Sequence, residues 1–311
     1  LKNFGFKNIH IVKSQAEPDS NFPTVITPNP EKKDALKEGI KIMKKEDGDI
    51  LIATDPDSDR VGIAIKNKNN KVMILDGNQI ASLIIYYTLR MWRKNNLLKG
   101  NEFIAKTIVT SRLIDNISKD FGVKCYNTLT GFKYIAELIR KNKNEKFIAG
   151  AEESFGYLVG SFVRDKDAII SSSIICEIAA WCMHNKTTIN NLLNEIYSRY
   201  GYYKEHLFTI KLEGIEGKIK IKNIMSELRK NPPNDLVDSK ICTITDYKKS
   251  EKKDLLRIKK ESIKLNKSDV LQFESIDGSL LSIRPSGTEP KLKFYISKNS
   301  TIINSYKTDI R

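Results

Sequence analysis

Cysteine and histidine are scarce in this sequence. Its 311 residues hold four cysteines and three histidines. Cys125, Cys176, Cys182 and Cys242 form no CxxC pair, and His10, His184 and His206 are as widely scattered. That argues against a zinc site or a disulfide framework and fits a reducing compartment, the cytoplasm. No apolar run approaches the roughly 18 residues that a membrane span needs. Residues 1–10 carry no apolar core of a secretory leader. No heptad, collagen or solenoid repeat appears. Position 1 is Leu rather than Met, from which we expect a start inside a longer protein.

What is there supports a sizeable core, with 40% hydrophobic and 29% charged residues. Lys and Arg outnumber Asp and Glu by 53 to 38, a formal charge of +15. The lysines are spread along the chain with acids among them. Even the densest basic stretches, 141–146 and 248–260, contain carboxylates. Charge alone therefore marks no nucleic-acid partner, and neither nucleic acid nor membrane is expected.

Hydrophobic patterning predicts strand, helix and strand in turn. A short strand at 9–12 leads into a Pro- and Asn-rich loop at 18–30. A helix over 31–45 and strands at 50–53, 61–65 and 72–75 follow. Helices at 77–93, 113–119, 132–140, 168–184 and 189–200 alternate with strands at 103–109, 123–126 and 147–149. The remainder reads as a strand at 207–212, a helix at 215–230 stopped by Pro232 and Pro233, and strands at 241–245, 270–276, 280–283 and 292–296. This pattern predicts an α/β architecture followed by an α+β domain with a mainly antiparallel sheet. We place the segments at 1–75, 76–202 and 203–311.

Three loops carry chemistry. In Thr54-Asp55-Pro56-Asp57-Ser58-Asp59-Arg60, three carboxylates alternate within one turn between two apolar strands. Like charges so close call for neutralisation, and a hard divalent cation such as Mg²⁺ suits oxygen ligands. An EF-hand is excluded, because Arg60 and Lys66 occupy the positions that need Gly and Glu. Gly150-Ala151-Glu152-Glu153-Ser154-Phe155-Gly156 follows a strand, where α/β folds place ligands. Its carboxylates and hydroxyl suit vicinal sugar hydroxyls, although a surface turn explains the segment equally well. Lys166, between Asp165 and Asp167, could contact phosphate or move a proton. Arg284-Pro285-Ser286-Gly287-Thr288-Glu289-Pro290-Lys291 joins a donor fork, hydroxyls, a permissive glycine and a point charge. That combination matches phosphate, and a plain hairpin has no need of it. Ser171–Ser173 reads as a helix cap, and Trp92, Trp181, Tyr86, Tyr87, Tyr202 and Tyr203 as core or domain-contact residues.

The motifs TDPDSDR, AEESFG and RPSGTEPK occur in the order and spacing of the α-D-phosphohexomutase family. Thr130-Gly131-Phe132-Lys133-Tyr134-Ile135 and Asp76-Gly77-Asn78-Gln79 resemble two further family segments, so the likeness covers essentially the whole chain. It is similar to the long bacterial phosphoglucomutase/phosphomannomutase type. The resemblance implies two phosphohexomutase-type α/β domains, the first incomplete, and a closing phosphate-binding domain. It implies interconversion of 1-phospho and 6-phospho sugars through a phosphoserine and a bisphosphate, with Mg²⁺ as cofactor and glucose 1,6-bisphosphate or its equivalent as activator. By motif, Asp55, Asp57 and Asp59 would bind the metal and Arg60 would face the phosphoserine. Thr130, Gly131, Glu152 and Ser154 would contact the sugar, and Lys166 matches the family's acid/base candidate. Arg284, Ser286, Gly287, Thr288 and Lys291 would bind phosphate.

The family's serine loop, of the type T-A-S-H-N-P, is not found, and Thr27-Pro28-Asn29-Pro30 matches a different segment. A chain lacking domain one and part of domain two is therefore expected, inactive by itself and partnered by that N-terminal domain. The sugar stays open between glucose, mannose and pentose phosphates. Two rival readings are a haloacid-dehalogenase-type phosphatase, disfavoured by Asp59 where that class has Thr or Val, and a non-catalytic phosphosugar-binding remnant.

Overall fold

The computed structural model describes residues 1–67, 69–287 and 289–300. The chain forms two compact units, Leu1–Tyr200 and Gly201–Arg311.

The first unit contains two sheets. β1 (Ile50–Thr54), β2 (Val61–Lys66) and β3 (Val72–Ile74) make an antiparallel sheet in that order. Helix α1 (Lys37–Lys45) covers it, so that Leu36, Met43, Leu51 and Ala64 form a small core. The second sheet has the order β5-β4-β6-β7, from β4 (Glu102–Thr107), β5 (Lys124–Thr128), β6 (Lys146–Glu152) and β7 (Gly156–Val159). β5 and β6 flank β4 in parallel, and β7 returns antiparallel to β6. Helices α2 (Gly77–Lys94), α3 (Leu113–Phe121), α4 (Phe132–Lys141), α5 (Ala168–His184) and α6 (Ile189–Tyr200) pack around it. Phe103, Phe132, Ile135, Phe147 and Leu158 fill one face.

Helix α2 is buried along most of its length, from Gly77 to Leu89. Such a helix needs its terminal N–H groups satisfied from within. The Asp76 carboxylate accepts from Gln79 N at 2.9 Å, and Gln79 Oε1 accepts from Asp76 N at 3.0 Å. The expected core tyrosines lie here, Tyr86 donating to Glu195 and Tyr87 to Glu177, both at 2.9 Å.

The second unit is one large antiparallel sheet with a helix across it. Its strands are β8 (Tyr202–Lys211), β9 (Asp235–Leu236), β10 (Ser239–Asp246), β11 (Glu251–Asp254), β12 (Lys259–Ser262), β13 (Leu271–Ser275), β14 (Leu280–Pro285) and β15 (Lys291–Ser300). The order is β12-β11-β10-β13-β14-β15-β8, with β9 paired to β10. Helix α7 (Gly214–Lys230) sets Ile221 and Met225 against Leu271, Phe273, Ile283 and Leu292. Each such buried side chain contributes roughly 1.5–3 kcal/mol.

Two local expectations fail and one hairpin was not expected, each for an identifiable reason. Residues 9–12 form no strand: Ile11 is 59% exposed, and among the described residues no strand pairs with the segment to complete a ladder. The cap of α5 is Asp167, which accepts from Ile169 N and Ile170 N, whereas Ser171 and Ser173 donate back to carbonyls one turn earlier. The β11–β12 hairpin escaped the pattern because its strands are almost wholly charged, with β12 the exposed edge of the sheet and β11 next to it.

Candidate active site

In the first unit, the acidic turn lies between β1 and β2. Asp55 Oδ1 accepts from Asp59 N and Arg60 N at 3.1 and 2.9 Å, which folds the turn back on itself. One ligand atom from each of Asp55, Asp57 and Asp59 falls within 4.8 Å of the others. Burial pushes the Asp55 carboxyl above its ordinary value; the Arg60 backbone N–H opposes this, and the charges of Asp59 and Asp57 add to it. Arg60 and Lys166 stand beside this anionic triad and offset part of its charge.

Backbone bonds fasten the turn to the β6–β7 hairpin and to the start of α5. Arg60 bridges Gly156, Val61 N donates to Phe155 O at 3.1 Å, and Ala168 N donates to Ser58 O at 3.0 Å. Ser58 and Phe155, at two of these contacts, hold left-handed φ values of 56° and 66°. Non-glycine residues persist there only when their surroundings impose it.

Lys166 sits where the loops meet. Its Nζ lies 2.8 Å from Asp59 Oδ2 and 3.2 Å from Asp165 Oδ1, and 5.8 Å from the centre of the Phe132 ring. Gly156 makes room for its stem, since a Cβ at that position would stand 2.3 Å from Lys166 Cδ. Burial pulls the ammonium down, but Asp59 and Asp165 together outweigh it, so Lys166 is held above its ordinary value and stays charged.

Glu152 ends β6 and accepts from Gly131 N at 2.8 Å. It is 6% exposed. Burial first, then the charge of Glu153, push its carboxyl up to about 7, against the Gly131 N–H, Lys166 and Arg60. Beside it, the Thr130 hydroxyl oxygen is buried without a hydrogen-bond partner among the described residues. Leaving such a group unsatisfied costs about 1–3 kcal/mol, so it is a natural contact for a ligand. Ser154 lies in the turn between β6 and β7, half-buried.

The contacts therefore join Asp55, Asp57, Asp59, Arg60 and Lys166, and join Gly131 to Glu152; Thr130 adjoins Gly131, and Ser154 lies in the turn after Glu152. Two contributors escaped the sequence reading. Glu153 accepts from Thr107 Oγ1 at 3.1 Å and Thr110 Oγ1 at 3.3 Å, which anchors the hairpin turn to the end of β4. Glu31 meets Arg60 at 3.3 Å. Glu153 stood inside a motif already singled out; nothing in the local pattern marks Glu31.

In the second unit, Arg284 stands near the end of β14, Ser286 and Gly287 lie in the turn that follows, and Lys291 opens β15; Thr288 lies outside the described residues. Ser286 N donates to Lys291 O at 2.8 Å and closes the loop. Lys291 Nζ pairs with Glu289 at 2.8 Å. Among the described residues no carboxylate lies within ion-pair distance of Arg284.

The first unit thus joins a parallel-cored α/β sheet to an oxygen-only acidic triad, and the second is an antiparallel sheet that carries an Arg–Ser–Gly–Lys cluster at its β14–β15 turn. The chain matches the family descriptions "Phosphoglucomutase/phosphomannomutase, alpha/beta/alpha domain II" over residues 1–69, the corresponding domain III over 76–200, and the corresponding C-terminal domain over 242–302. It belongs to the phosphoglucomutase/phosphomannomutase family. A phosphoglucomutase of Staphylococcus aureus (strain N315) is 36% identical over 298 residues, covering 96% of this chain and 53% of the relative. A Staphylococcus epidermidis phosphoglucomutase is 35% identical over 96% of the chain and 54% of its own length. The chain thus spans about half the length of these curated relatives.

Among solved structures, the open form of the Paramecium phosphoglucomutase-related phosphoprotein pp63/parafusin superposes with a TM-score of 0.64 at 18% identity, over 94% of this chain and 48% of that one. A phosphoglucomutase/phosphomannomutase family protein of Burkholderia thailandensis gives 0.59 at 16% identity, over 91% and 49%. These likenesses establish the fold. No helix among the described residues is long and apolar enough to cross a membrane.

Proposed function

We propose that this chain supplies the metal-, sugar- and phosphate-binding parts of a phosphohexomutase that interconverts 1-phospho and 6-phospho sugars in the cytoplasm. Segments 1–75, 76–202 and 203–311 carry those three tasks in turn. The observation that carries the reading is the junction at Lys166. One ammonium touches the acidic turn through Asp59 and approaches the sugar-loop helix at Phe132, while its stem crosses the β6–β7 hairpin at Gly156. These contacts support one site for metal, sugar and proton transfer.

Asp55, Asp57 and Asp59 fit Mg²⁺, being an oxygen-only donor set gathered within 4.8 Å. When bound, the cation supplies charge stabilisation to a transferring phosphoryl group. Arg60 adds a second positive group beside it. Lys166, kept charged by its two carboxylates, holds a proton at Nζ and is suited to acid duty. Glu152, Ser154, Thr130 and the Gly131 N–H orient sugar hydroxyls. Arg284, Ser286, Gly287, Thr288 and Lys291 grip the phosphate that is not being transferred.

Moving phosphate from one sugar oxygen to another requires a covalent carrier. Ser111 is 2% exposed and its N–H donates to Asn78, Ser154 belongs to the sugar turn, and Ser20, although it lines a cavity with Asp55 and Ser58, stands in a Pro-rich loop without the T-A-S-H-N-P pattern. We therefore expect no turnover from residues 1–311 alone in a coupled glucose 6-phosphate assay with glucose 1,6-bisphosphate added. Fusion to the serine-bearing N-terminal half of a relative is expected to restore it. Turnover without the fusion would require another nucleophile. Binding of glucose 1-phosphate with no turnover even in the fusion would favour a non-catalytic phosphosugar-binding remnant.

Arg284→Ala is expected to weaken glucose 1-phosphate binding about tenfold or more, since a bidentate charge-assisted contact is worth roughly 1.5–3 kcal/mol. Calorimetry showing an unchanged Kd, with circular dichroism intact, removes the loop from the site. In the fused enzyme, Lys166→Met is expected to lower kcat far more than it raises KM. A normal kcat assigns Lys166 a purely structural role.

A further inference from the structure

We propose that Glu31 is the positioning residue for Arg60, holding the guanidinium by one end so that the carboxylates of the acidic turn stay available to a cation. This inference rests on the metal reading given above. Arg60 faces three carboxylates at unequal distances. Its Nη1 is hydrogen-bonded to Glu31 Oε1 at 3.3 Å, while its Nε stands 3.8 Å from Asp55 Oδ2 and 3.7 Å from Asp59 Oδ1. The two contacts to the turn are beyond hydrogen-bonding distance.

The Arg60 backbone cannot move to relieve this geometry. Its N–H donates to Asp55 Oδ1 at 2.9 Å, its carbonyl accepts from Asp55 N at 3.3 Å, and it bridges Gly156. Only the side chain has a choice of partner, and Glu31 makes that choice. A guanidinium left to itself would form charge-assisted hydrogen bonds with the nearest carboxylates, occupying lone pairs that a metal needs.

Glu31 is fixed in turn. Glu31 N donates to Asn29 Oδ1 at 2.9 Å, and Lys32 N donates to Asn29 O at 2.9 Å, closing a turn over 29–32. Buried Pro30 presses this turn against β2. A Cβ at Gly62 would stand 2.7 Å from Pro30 O and 2.9 Å from Pro30 Cβ, so the approach requires glycine there. Thus the Pro- and Asn-rich segment, which offers no catalytic group of its own, delivers one carboxylate to the guanidinium two residues before Gly62.

Glu31→Gln keeps the shape of the side chain and removes the charge. Calorimetric titration of residues 1–311 with Mg²⁺ is expected to show affinity falling about three- to tenfold in Glu31→Gln. Arg60→Gln is expected to bind Mg²⁺ at least as well as wild type, and the double variant to match Arg60→Gln within about twofold. An equal loss from Glu31→Gln in both backgrounds, or no loss in either, overturns the inference. A second readout is independent of the metal: the Nε–Hε resonance of Arg60 in the metal-free chain. It is expected to move in Glu31→Gln, as Nε closes on Asp55 and Asp59, and to move back when Asp55→Asn is added. A resonance that stays put overturns the inference whether or not Mg²⁺ binds. Wild-type chain that takes up no Mg²⁺ at millimolar concentration while that resonance still responds defeats the metal reading alone.

Discussion

Asp57→Asn is expected to lower Mg²⁺ uptake by residues 1–311 roughly 30-fold or more. Two unit charges 4 Å apart interact by about 4 kcal/mol at an effective dielectric of 20. Asp57 is the exposed member of the triad, so solvent screening takes back a large part of that. The loss remains large because the cation is divalent and because an amide oxygen is the poorer ligand. Asp55 and Asp59 are already engaged, Asp55 with two backbone N–H groups and Asp59 with Lys166. Asp57 is thus the carboxylate with least to give up on binding. Equal calorimetric uptake by wild type and variant at millimolar Mg²⁺ would refute the metal assignment.

Glu152→Gln is expected to stabilise the first unit at neutral and alkaline pH while impairing sugar binding. The Glu152 carboxyl is pushed up to about 7 in the folded chain, from 4.5 in the unfolded. The folded state therefore binds the proton more tightly. Below about pH 4.5 both states are protonated and the residue costs nothing. Between 4.5 and 7 the unfolded chain ionises while the folded chain resists, so stability falls as pH rises. Above 7 the penalty levels off at about 3 kcal/mol. Gln keeps an oxygen to accept from Gly131 N and carries no charge. Both tryptophans, Trp92 and Trp181, lie in the first unit, so their fluorescence reports its unfolding by urea. The variant should match wild type near pH 4.5 and exceed it near pH 8. A difference that does not change with pH would mean that Glu152 is not held protonated by its surroundings.

Much of this protein is readable from its pattern. The buried helix α2 announces itself by an apolar run behind Asp76 and Gln79, because a helix N-terminus needs those side chains wherever it lies. The acidic turn between two apolar strands, and the Arg–Ser–Gly–Thr–Lys loop, are recognisable because their chemistry is local: three carboxylates within five residues must share a field. The β11–β12 hairpin was not readable, since these charged strands form through backbone pairing, β11 with β10 and β12 with β11, partners that side-chain periodicity does not name. β7 was not readable either, because the turn that launches it looks like an isolated loop until Glu152 pairs with Gly156.

By itself, the sequence determined the succession of α/β and antiparallel parts, the identity of the chemical loops and the family. It could do so because helix caps, strand runs and charge clusters act over a few residues. Only the tertiary structure decided which of those groups meet. It set Lys166 on Asp59 across more than a hundred residues of chain, aimed the Gly131 N–H at Glu152, and buried that carboxylate until it holds its proton near neutrality. It also brought Glu31 to Arg60 by pressing Pro30 onto Gly62. The reason is physical: charge, burial and hydrogen-bond choice depend on distance through space, and the sequence alone does not set the distance between residues far apart along the chain.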